Sequence, residues 1–411
     1  MPENLEKRLK RQIHGKHHRF TVIVPLGFEA TLVKELRQIG IIVENDSFDT
    51  TDGKVSFTAK ITEAWKTVAL SRIANRVLMD IASFKAENFR ELEKKVAEIP
   101  WELYLPCHPE RSNTSCEVEG SVSIHVTCKH SRLYHSDAIA ERFYKIFNGG
   151  STETVMQHLY INLIDDRCTV SLDLAGEELY KRGHERFVAE APLKETIAAA
   201  MLFEAGYFTS SRAVLLDPMA GSGTFSLEAA YMTSGLIPGK CRDFALKHQP
   251  AFKDATWNFI LKNAKPASKE LNNSKVQILT SDISDRAINI IRHNIESTPL
   301  AKTAPDLIKL QKRDFFSYTP EEIARIRQDR FPILVLNPPY GKRLDADAPK
   351  LYAEIGRKLK DFTGWTVAIL APKGPCTENL LHHCPALNGV STRKIETSHG
   401  GFSLNCIITN L

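Results

Sequence analysis

The sequence predicts an α/β protein in which a doubly wound sheet follows a smaller α+β region. Three observations predict it. From Pro192 onward, short apolar runs alternate with segments of helical periodicity, the rhythm of a sheet wound with helices. One of these runs, Val214-Leu215-Leu216, opens into a glycine-containing turn and then a helix. Upstream of residue 183, strands and helices are mixed and close on a hairpin pattern.

The bulk numbers set the frame. A chain of 411 residues with 43% hydrophobic and 25% charged residues is an ordinary globular composition of two to three domains. No apolar run approaches the ~20 residues that cross a bilayer. The first sixteen residues are polar and basic without an apolar core, so they are no secretory signal, and a cytoplasmic protein is expected. The net charge of +5 permits a nucleic-acid partner without demanding one. Lys7-Arg8-Leu9-Lys10-Arg11, with His14, Lys16, His17, His18 and Arg19, makes a basic head: a solvated tail that can also touch phosphates. Eight cysteines without a Cys-x-x-Cys pair argue against a disulfide framework. His382-His383-Cys384 lacks the second ligand pair of a metal site, and no metal is expected.

Taken in order, residues 20–24 read as a strand and 29–40 as a helix ending on Gly40. Residues 41–48 and 54–57 read as further strands. A second unit starts near Ile61, with helices over 64–78, 88–99 and 137–148 and a half-buried strand over 121–128. Residues 160–164 and 168–173 form a hairpin turning at Asp165-Asp166-Arg167. The polar stretch 183–191 is the main linker. Beyond it, strands are expected at 213–216, 276–280, 308–311, 333–336, 366–370, 392–396 and 405–409.

The turn Asp217-Pro218-Met219-Ala220-Gly221-Ser222-Gly223-Thr224 sits between strand and helix. Gly221 and Gly223 allow a tight bend and close approach of a ligand. Ser222 and Thr224 are placed to cap the following helix. Ser226 stands where a pyrophosphate-binding loop has its third glycine, and the lysine of a nucleotide-phosphate loop is missing. Both points argue against a dinucleotide or ATP. Asp282 and Asp314 close two later strands, at the sheet edge where open α/β sheets take their ligands. Asp282 is placed to accept hydrogen bonds from ribose hydroxyls, and Asp314 to accept one from an adenine amine. Either acid alone would serve equally as a helix N-cap.

The run 331–336 reads as a buried strand, and Asn337-Pro338-Pro339-Tyr340-Gly341 follows it. A polar amide at the mouth of an apolar strand, a stiff turn and an adjacent ring suit a flat, amine-bearing group. That pattern points to methylation of a nitrogen on a base or an amide, with Asn337, Pro338 and Tyr340 as the catalytic set.

These residues resemble the class I S-adenosylmethionine-dependent methyltransferases, and most closely the bacterial large-subunit ribosomal RNA methyltransferases that modify guanine N2. The loop 217–224 is similar to that family's cofactor loop. Residues 179–183 and 191–196 are similar to its lead-in segments, and 238–257 to a family-specific insertion. Ser71-Arg72-Ile73-Ala74-Asn75-Arg76-Val77-Leu78, Ile99-Pro100-Trp101 and 131–136 resemble the THUMP RNA-binding module. The resemblance implies a Rossmann-like seven-stranded methyltransferase sheet over 187–411. It implies a THUMP domain over 61–167 and a ferredoxin-like domain over 1–60, completed by 168–186. It also implies S-adenosylmethionine as cofactor, held by Asp217, Gly221, Ser222, Gly223, Thr224, Asp282 and Asp314, and RNA (23S rRNA or a ribosomal precursor) as partner. Larger family members carry a second methyltransferase module. This chain ends at Leu411, just past the expected last strand, so one activity is expected.

The resulting expectation is methyl transfer to the exocyclic N2 of a guanine in 23S rRNA, on a base flipped out of its stack. A tRNA guanine-N2 methyltransferase, an adenine-N6 methyltransferase and a non-catalytic RNA-binding protein are the alternatives. The intact set of acids, glycines and Asn337 weighs against the last.

Overall fold

The computed structural model describes residues 4–106, 122–145, 147, 157–183, 186–188, 192–207, 212–264, 277–340 and 347–411. Gly341, named above, lies outside them, as do two of the eight cysteines, Cys107 and Cys116, and part of the expected linker 183–191. Two compact units form. One comprises Met1–Ile23, Gly40–Leu179 and Arg242–Asn263, and the other Val24–Ile39, Tyr180–Cys241 and Ala264–Leu411.

The first unit is built on a seven-stranded sheet of β1 (His18–Ile23), β2 (Asp49–Thr51), β3 (Lys54–Ala59), β4 (Arg76–Lys85), β5 (Val122–Lys129), β6 (Gln157–Ile164) and β7 (Arg167–Asp173). Their order is β2-β3-β1-β4-β7-β6-β5. Neighbours are antiparallel except β5 and β6. The β6–β7 hairpin turns where expected, with Asp165 and Asp166 at φ 50° and 60°, as a two-residue turn matched to strand twist requires. Leu159, Ile161 and Leu163 alternate inward from β6. They bury against Leu92 and Val96 of the helix Phe89–Ala97 and Ile139 and Phe143 of the helix Ser136–Tyr144.

Three expectations fail here. The basic head is no solvated tail: Leu5–Leu9 and Lys10–His14 are helical, Ile13 is buried, Arg8 pairs with Glu102 and His14 packs on Trp65. The helix expected over 64–78 runs Ile61–Leu70 and stops. The Ser71 hydroxyl accepts the Ala74 amide at 3.0 Å, turning the chain, and Val77-Leu78-Met79 enter β4 at the centre of the sheet. Ile73, Ala74 and Val77 fit a helical period, but all three are buried by a turn and a central strand, where burial on both faces erases alternation. Residues 41–48 form no strand. A short helical turn at Glu44–Asp46, with Asn45 at φ 56°, occupies them, and strand pairing begins at Asp49.

A stretch from the second half of the chain completes this unit. The Ala245 and Leu246 amides donate to the carbonyls of Ala175 and Leu174. Gln249 bonds Gln157 and the Asp173 carbonyl, and Phe252 packs on Trp65.

The second unit carries β8 (Ala213–Asp217), β9 (Gln277–Asp282), β10 (Ile308–Lys312), β11 (Phe331–Leu336), β12 (Thr366–Pro372), β13 (Arg393–His399) and β14 (Phe402–Asn410). The order is β10-β9-β8-β11-β12-β14-β13, parallel but for β14, which runs antiparallel to both neighbours. The strand order reverses between β8 and β11, which opens a crevice at their carboxyl ends. Leu216, Leu334, Leu336 and Val367 pack beneath it against Tyr352, Ile355 and Leu359 of the helix Ala348–Leu359. The helix Glu29–Gln38 also belongs to this unit, where Thr31 and Lys34 both bond Glu204. No helix among the described residues is long and apolar enough to cross a membrane.

Beside the crevice, Arg182 grips Glu228 bidentately at 3.0 and 3.3 Å, with side chains only 5% and 0% exposed. Removing one partner deprives the other's buried charge of this bidentate bond. Glu228→Ala is expected to lower unfolding stability by about 3–5 kcal/mol, visible as a fall in the urea midpoint. An unchanged midpoint would contradict the pairing.

Candidate functional site

β8 delivers Asp217 fully buried to the crevice floor, 1% exposed. The chain then turns through Gly221 at φ 57° and Gly223 at φ 78° into the helix Thr224–Thr233. These glycines serve different ends. A Cβ on Gly223 would lie 3.0 Å from the Ile291 side chain, which would have to give way, and its φ strains any other residue there. A Cβ on Gly221 would meet nothing within 4 Å, so the backbone lies open toward whatever occupies the crevice.

Asp282, at the end of the neighbouring strand, holds this turn in place. One carboxylate oxygen accepts the Gly221 amide at 2.9 Å and the other the Ser284 amide at 2.9 Å. The Ala220 amide adds a bond to the Ser281 carbonyl. Asp314 accepts the Phe316 amide at 3.1 Å and caps a short helical turn, Phe315–Ser317. Both acids thus stand at the sheet edge where expected and already hold backbone. A carboxylate has four acceptor positions, so each keeps capacity for a ligand.

Asp217 is different. One of its oxygens accepts the Ser226 hydroxyl at 2.7 Å, and Ser226 in turn contacts Thr280 at 2.7 Å. Its Oδ1 is buried and has no partner among the described residues. Burial pushes its pKa up to about 7 against the opposing Ser226 bonds, and the nearby Asp282 charge adds to the rise. Ser226, which replaces the third glycine, therefore has a definite task beneath the loop.

The expected capping by Ser222 and Thr224 is not found. Gly223 itself occupies the N-cap in the left-handed conformation, without a side-chain cap bond. The two hydroxyls instead receive Arg186, at 3.3 and 2.7 Å, and Arg186 is ion-paired with Glu195. The next residue, Phe187, is held by Asn294, which accepts its amide and donates to its carbonyl, both at 2.9 Å. Sequence reasoning missed Arg186, Glu195 and Asn294. It also missed Ile283, which directly follows Asp282 and is 66% exposed, an apolar surface beside the carboxylate.

β11 runs buried from Pro332 to Leu336 and presents Asn337 and Pro338 beside the loop, since β11 is the direct neighbour of β8. The Asn337 Oδ1 is buried with no partner among the described residues. Tyr340 is fixed by the tip of the β13–β14 hairpin. Its hydroxyl lies 3.1 Å from His399 Nδ1, and its ring meets Phe402 edge to face at 5.8 Å and 73°. The ring expected to suit a flat group is thus already braced. His399 and Phe402 went unrecognised in the sequence because only the folded hairpin brings them to residue 340. No group of three or more His, Cys, Asp or Glu side chains among the described residues is placed to hold a metal.

A family profile described as RMKL-like, methyltransferase domain matches residues 182–401, more than half of the chain and the whole of this crevice. The chain belongs to the RMKL-like methyltransferase family. This is a family of S-adenosylmethionine-dependent enzymes, and the RlmL ferredoxin-like domain profile matches residues 19–78. Among relatives, the ribosomal RNA large subunit methyltransferase K/L of Allochromatium vinosum is 30% identical over 363 residues, 86% of this chain and 47% of its own. The chain spans about half the length of the curated relatives it matches. Among solved structures, one named a predicted N6-adenine-specific DNA methylase, from Listeria monocytogenes, has a TM-score of 0.72 at 25% identity, covering 98% of each chain. Another, a possible methylase from Clostridium difficile, has a TM-score of 0.76 at 24% identity, covering 96% of this chain and 98% of its own. The methyltransferase domain thus places the turn through Gly221 and Gly223 and the Asn337 turn side by side.

A carboxyl whose folded pKa is raised favours the folded state while protonated, and that contribution is lost as pH rises through the folded value. The Asp217 contribution is therefore present in acid and gone above about 7. Asp217→Asn is expected to flatten this part of the profile, measured as the melting temperature of the ligand-free protein between pH ~5 and ~8. Parallel profiles for variant and wild type would refute the assignment.

Proposed function

We propose that this chain transfers a methyl group from S-adenosylmethionine to the exocyclic N2 amine of a guanine in 23S rRNA. The observation that carries the reading is the buried, unpartnered Asn337 oxygen at the end of β11, beside a cofactor-type loop. Leaving such an acceptor unsatisfied costs roughly 1–3 kcal/mol, so the site is complete only when a donor enters it. An exocyclic base amine is such a donor. The ribosomal RNA named in the relatives' descriptions supports RNA as the source of that base.

The cofactor, when bound, supplies a methyl group on a sulfonium. The unpartnered Asp217 oxygen and the open face of Gly221 fit a polar ligand pressed against the backbone. Asp217, Gly221, Ser222, Gly223 and Thr224 would hold it. Asp282 would take its ribose hydroxyls, Ile283 its apolar face and Asp314 its adenine amine. The substrate amine is a poor nucleophile because its lone pair is delocalised into the ring. Asn337 Oδ1 and the Pro338 carbonyl accept hydrogen bonds from its two N–H groups, draw the nitrogen toward tetrahedral geometry and aim its lone pair; once methylated, the cationic amine is acidic and sheds one of these hydrogens as a proton to solvent. Tyr340, braced by His399 and Phe402, lines the place of the base. Rate then comes from positioning and from stabilising the moving charge. A flipped base is required, because a stacked one cannot reach the pocket. Residues 61–167 would act as a THUMP-type RNA-binding region, and the RNA substrate would set the work in the cytoplasm.

Nucleoside mass spectrometry of rRNA and tRNA from a deletion strain tests the substrate. The expected result is loss of one N2-methylguanosine from 23S rRNA. Loss from tRNA, or of N6-methyladenosine, would replace this reading with another. Asp282→Ala is expected to weaken S-adenosylmethionine binding at least tenfold by calorimetry, because it releases the Gly221 turn as well as the ribose contact. Unchanged affinity would remove Asp282 from the cofactor site.

A further inference from the structure

The sheet of the first unit has two unlike faces. One is the apolar core formed by Leu159, Ile161, Val170 and Leu172. The opposite face carries His158 and Tyr160 of β6, because strand side chains alternate. The parallel register sets His125 of β5, the edge strand, directly beside Tyr160. The His125 ring stacks at 4.7 Å and 19° from Tyr160, and at 5.3 Å and 22° from His158. The two imidazoles lie 3.0 Å apart, His125 Nε2 to His158 Nδ1, which fixes their tilt. The Arg76 guanidinium sits 5.7 Å from the Tyr160 ring and is anchored by the fully buried Asp173 at 2.5 Å. His125 is exposed and its two neighbours are half-buried, so the rings lie open rather than packed into a core.

Cations frame the other end of the same face. Ile164 of β6 pairs with Lys129 on one side and Arg167 on the other, and Arg167 pairs with Lys85 of β4. Direct partners point to one face, and all three cations are exposed. Burial, helped by the Arg76 charge, pushes both imidazoles below their ordinary range, His158 to about 4. At neutral pH the row is therefore a neutral aromatic surface with cations beside it. His125 already stacks on Tyr160 and His158, so its outer face at the exposed edge strand is where a further ring extends the stack, and with positive charge nearby this suits unpaired bases and their phosphates. A duplex keeps its base faces stacked inside and cannot use such rings.

We propose that His125, Tyr160 and His158 with Arg76 form a stacking platform for unpaired bases of the RNA substrate, with Lys85, Lys129 and Arg167 on its phosphates. This rests on the RNA reading above and assigns it a surface remote in sequence from the methyl-transfer residues.

Fluorescence anisotropy of the full chain with a labelled single-stranded RNA of about ten nucleotides tests it. The wild type is expected to bind this RNA more tightly than the corresponding duplex. Tyr160→Ala and His125→Ala should each weaken binding about tenfold, with S-adenosylmethionine affinity unchanged by calorimetry. Tyr160→Phe and His125→Phe, which keep a ring, should stay within about twofold. A wild type that binds RNA while both alanine variants bind equally well would overturn the platform and leave the functional reading standing. The same face would then suit a protein partner. A wild type that binds neither single-stranded RNA nor duplex would overturn both. Phenylalanine variants as weak as the alanine ones would overturn stacking as the cause. Should Tyr160→Ala fail to fold, His125→Ala at the exposed edge strand still decides the question.

Discussion

The hydrogen bond between the Asp282 carboxylate and the Gly221 amide is the constraint on which the crevice depends. It joins the ends of two adjacent parallel strands and holds a turn whose two glycines sit at positive φ. A free chain would not keep that conformation, because each such residue has other conformations to visit. Once the turn is fixed, the Gly221 backbone faces the crevice, and the Thr224 helix starts at a defined angle over the sheet. Arg186, Glu195 and Asn294 brace the same turn from its other side through the hydroxyls of Ser222 and Thr224 and the backbone of Phe187. The loop is thus held before any ligand arrives, so little ordering remains to be done on binding.

Legibility in the sequence followed the physics of burial. Val214-Leu215-Leu216 and Ile333-Leu334-Val335-Leu336 are central parallel strands covered on both faces, and they read as continuous apolar runs. Glycines and acids at the ends of such strands could therefore be placed without a structure. The first unit was harder. Ile73, Ala74 and Val77 match a helical period, yet their burial comes from a turn and from β4, and no local signal separates the two cases. Contacts across long sequence distances were invisible in principle. Arg186 meets Thr224, Phe187 meets Asn294, and Tyr340 meets His399, each joined only by tertiary folding. Ser222 and Thr224 show the same limit from the other side. Their hydroxyls suit helix capping by type, but Gly223 takes the cap position and Arg186 takes the hydroxyls.

On the proposed reading, the two strand ends also carry the chemistry. Asp217 and Asn337 close neighbouring strands, and each keeps one buried oxygen without a partner among the described residues. Buried acceptors are usually satisfied, and two open ones at one sheet edge support the proposed site there. The rest of the second unit supports that edge: a packed core beneath it, a braced turn on one side, and a hairpin tip against Tyr340 on the other.

The central claim is that the Asn337 oxygen acts on the reacting amine and not on the cofactor. Single-turnover methyl transfer by Asn337→Ala, with donor affinity measured in parallel by calorimetry, tests it most directly. The account predicts a rate lower by at least ~10²-fold, the usual loss for one transition-state hydrogen-bond partner, with donor affinity within about threefold of wild type. A variant that transfers methyl at the wild-type rate, or one whose loss is entirely a loss of donor binding, would contradict it.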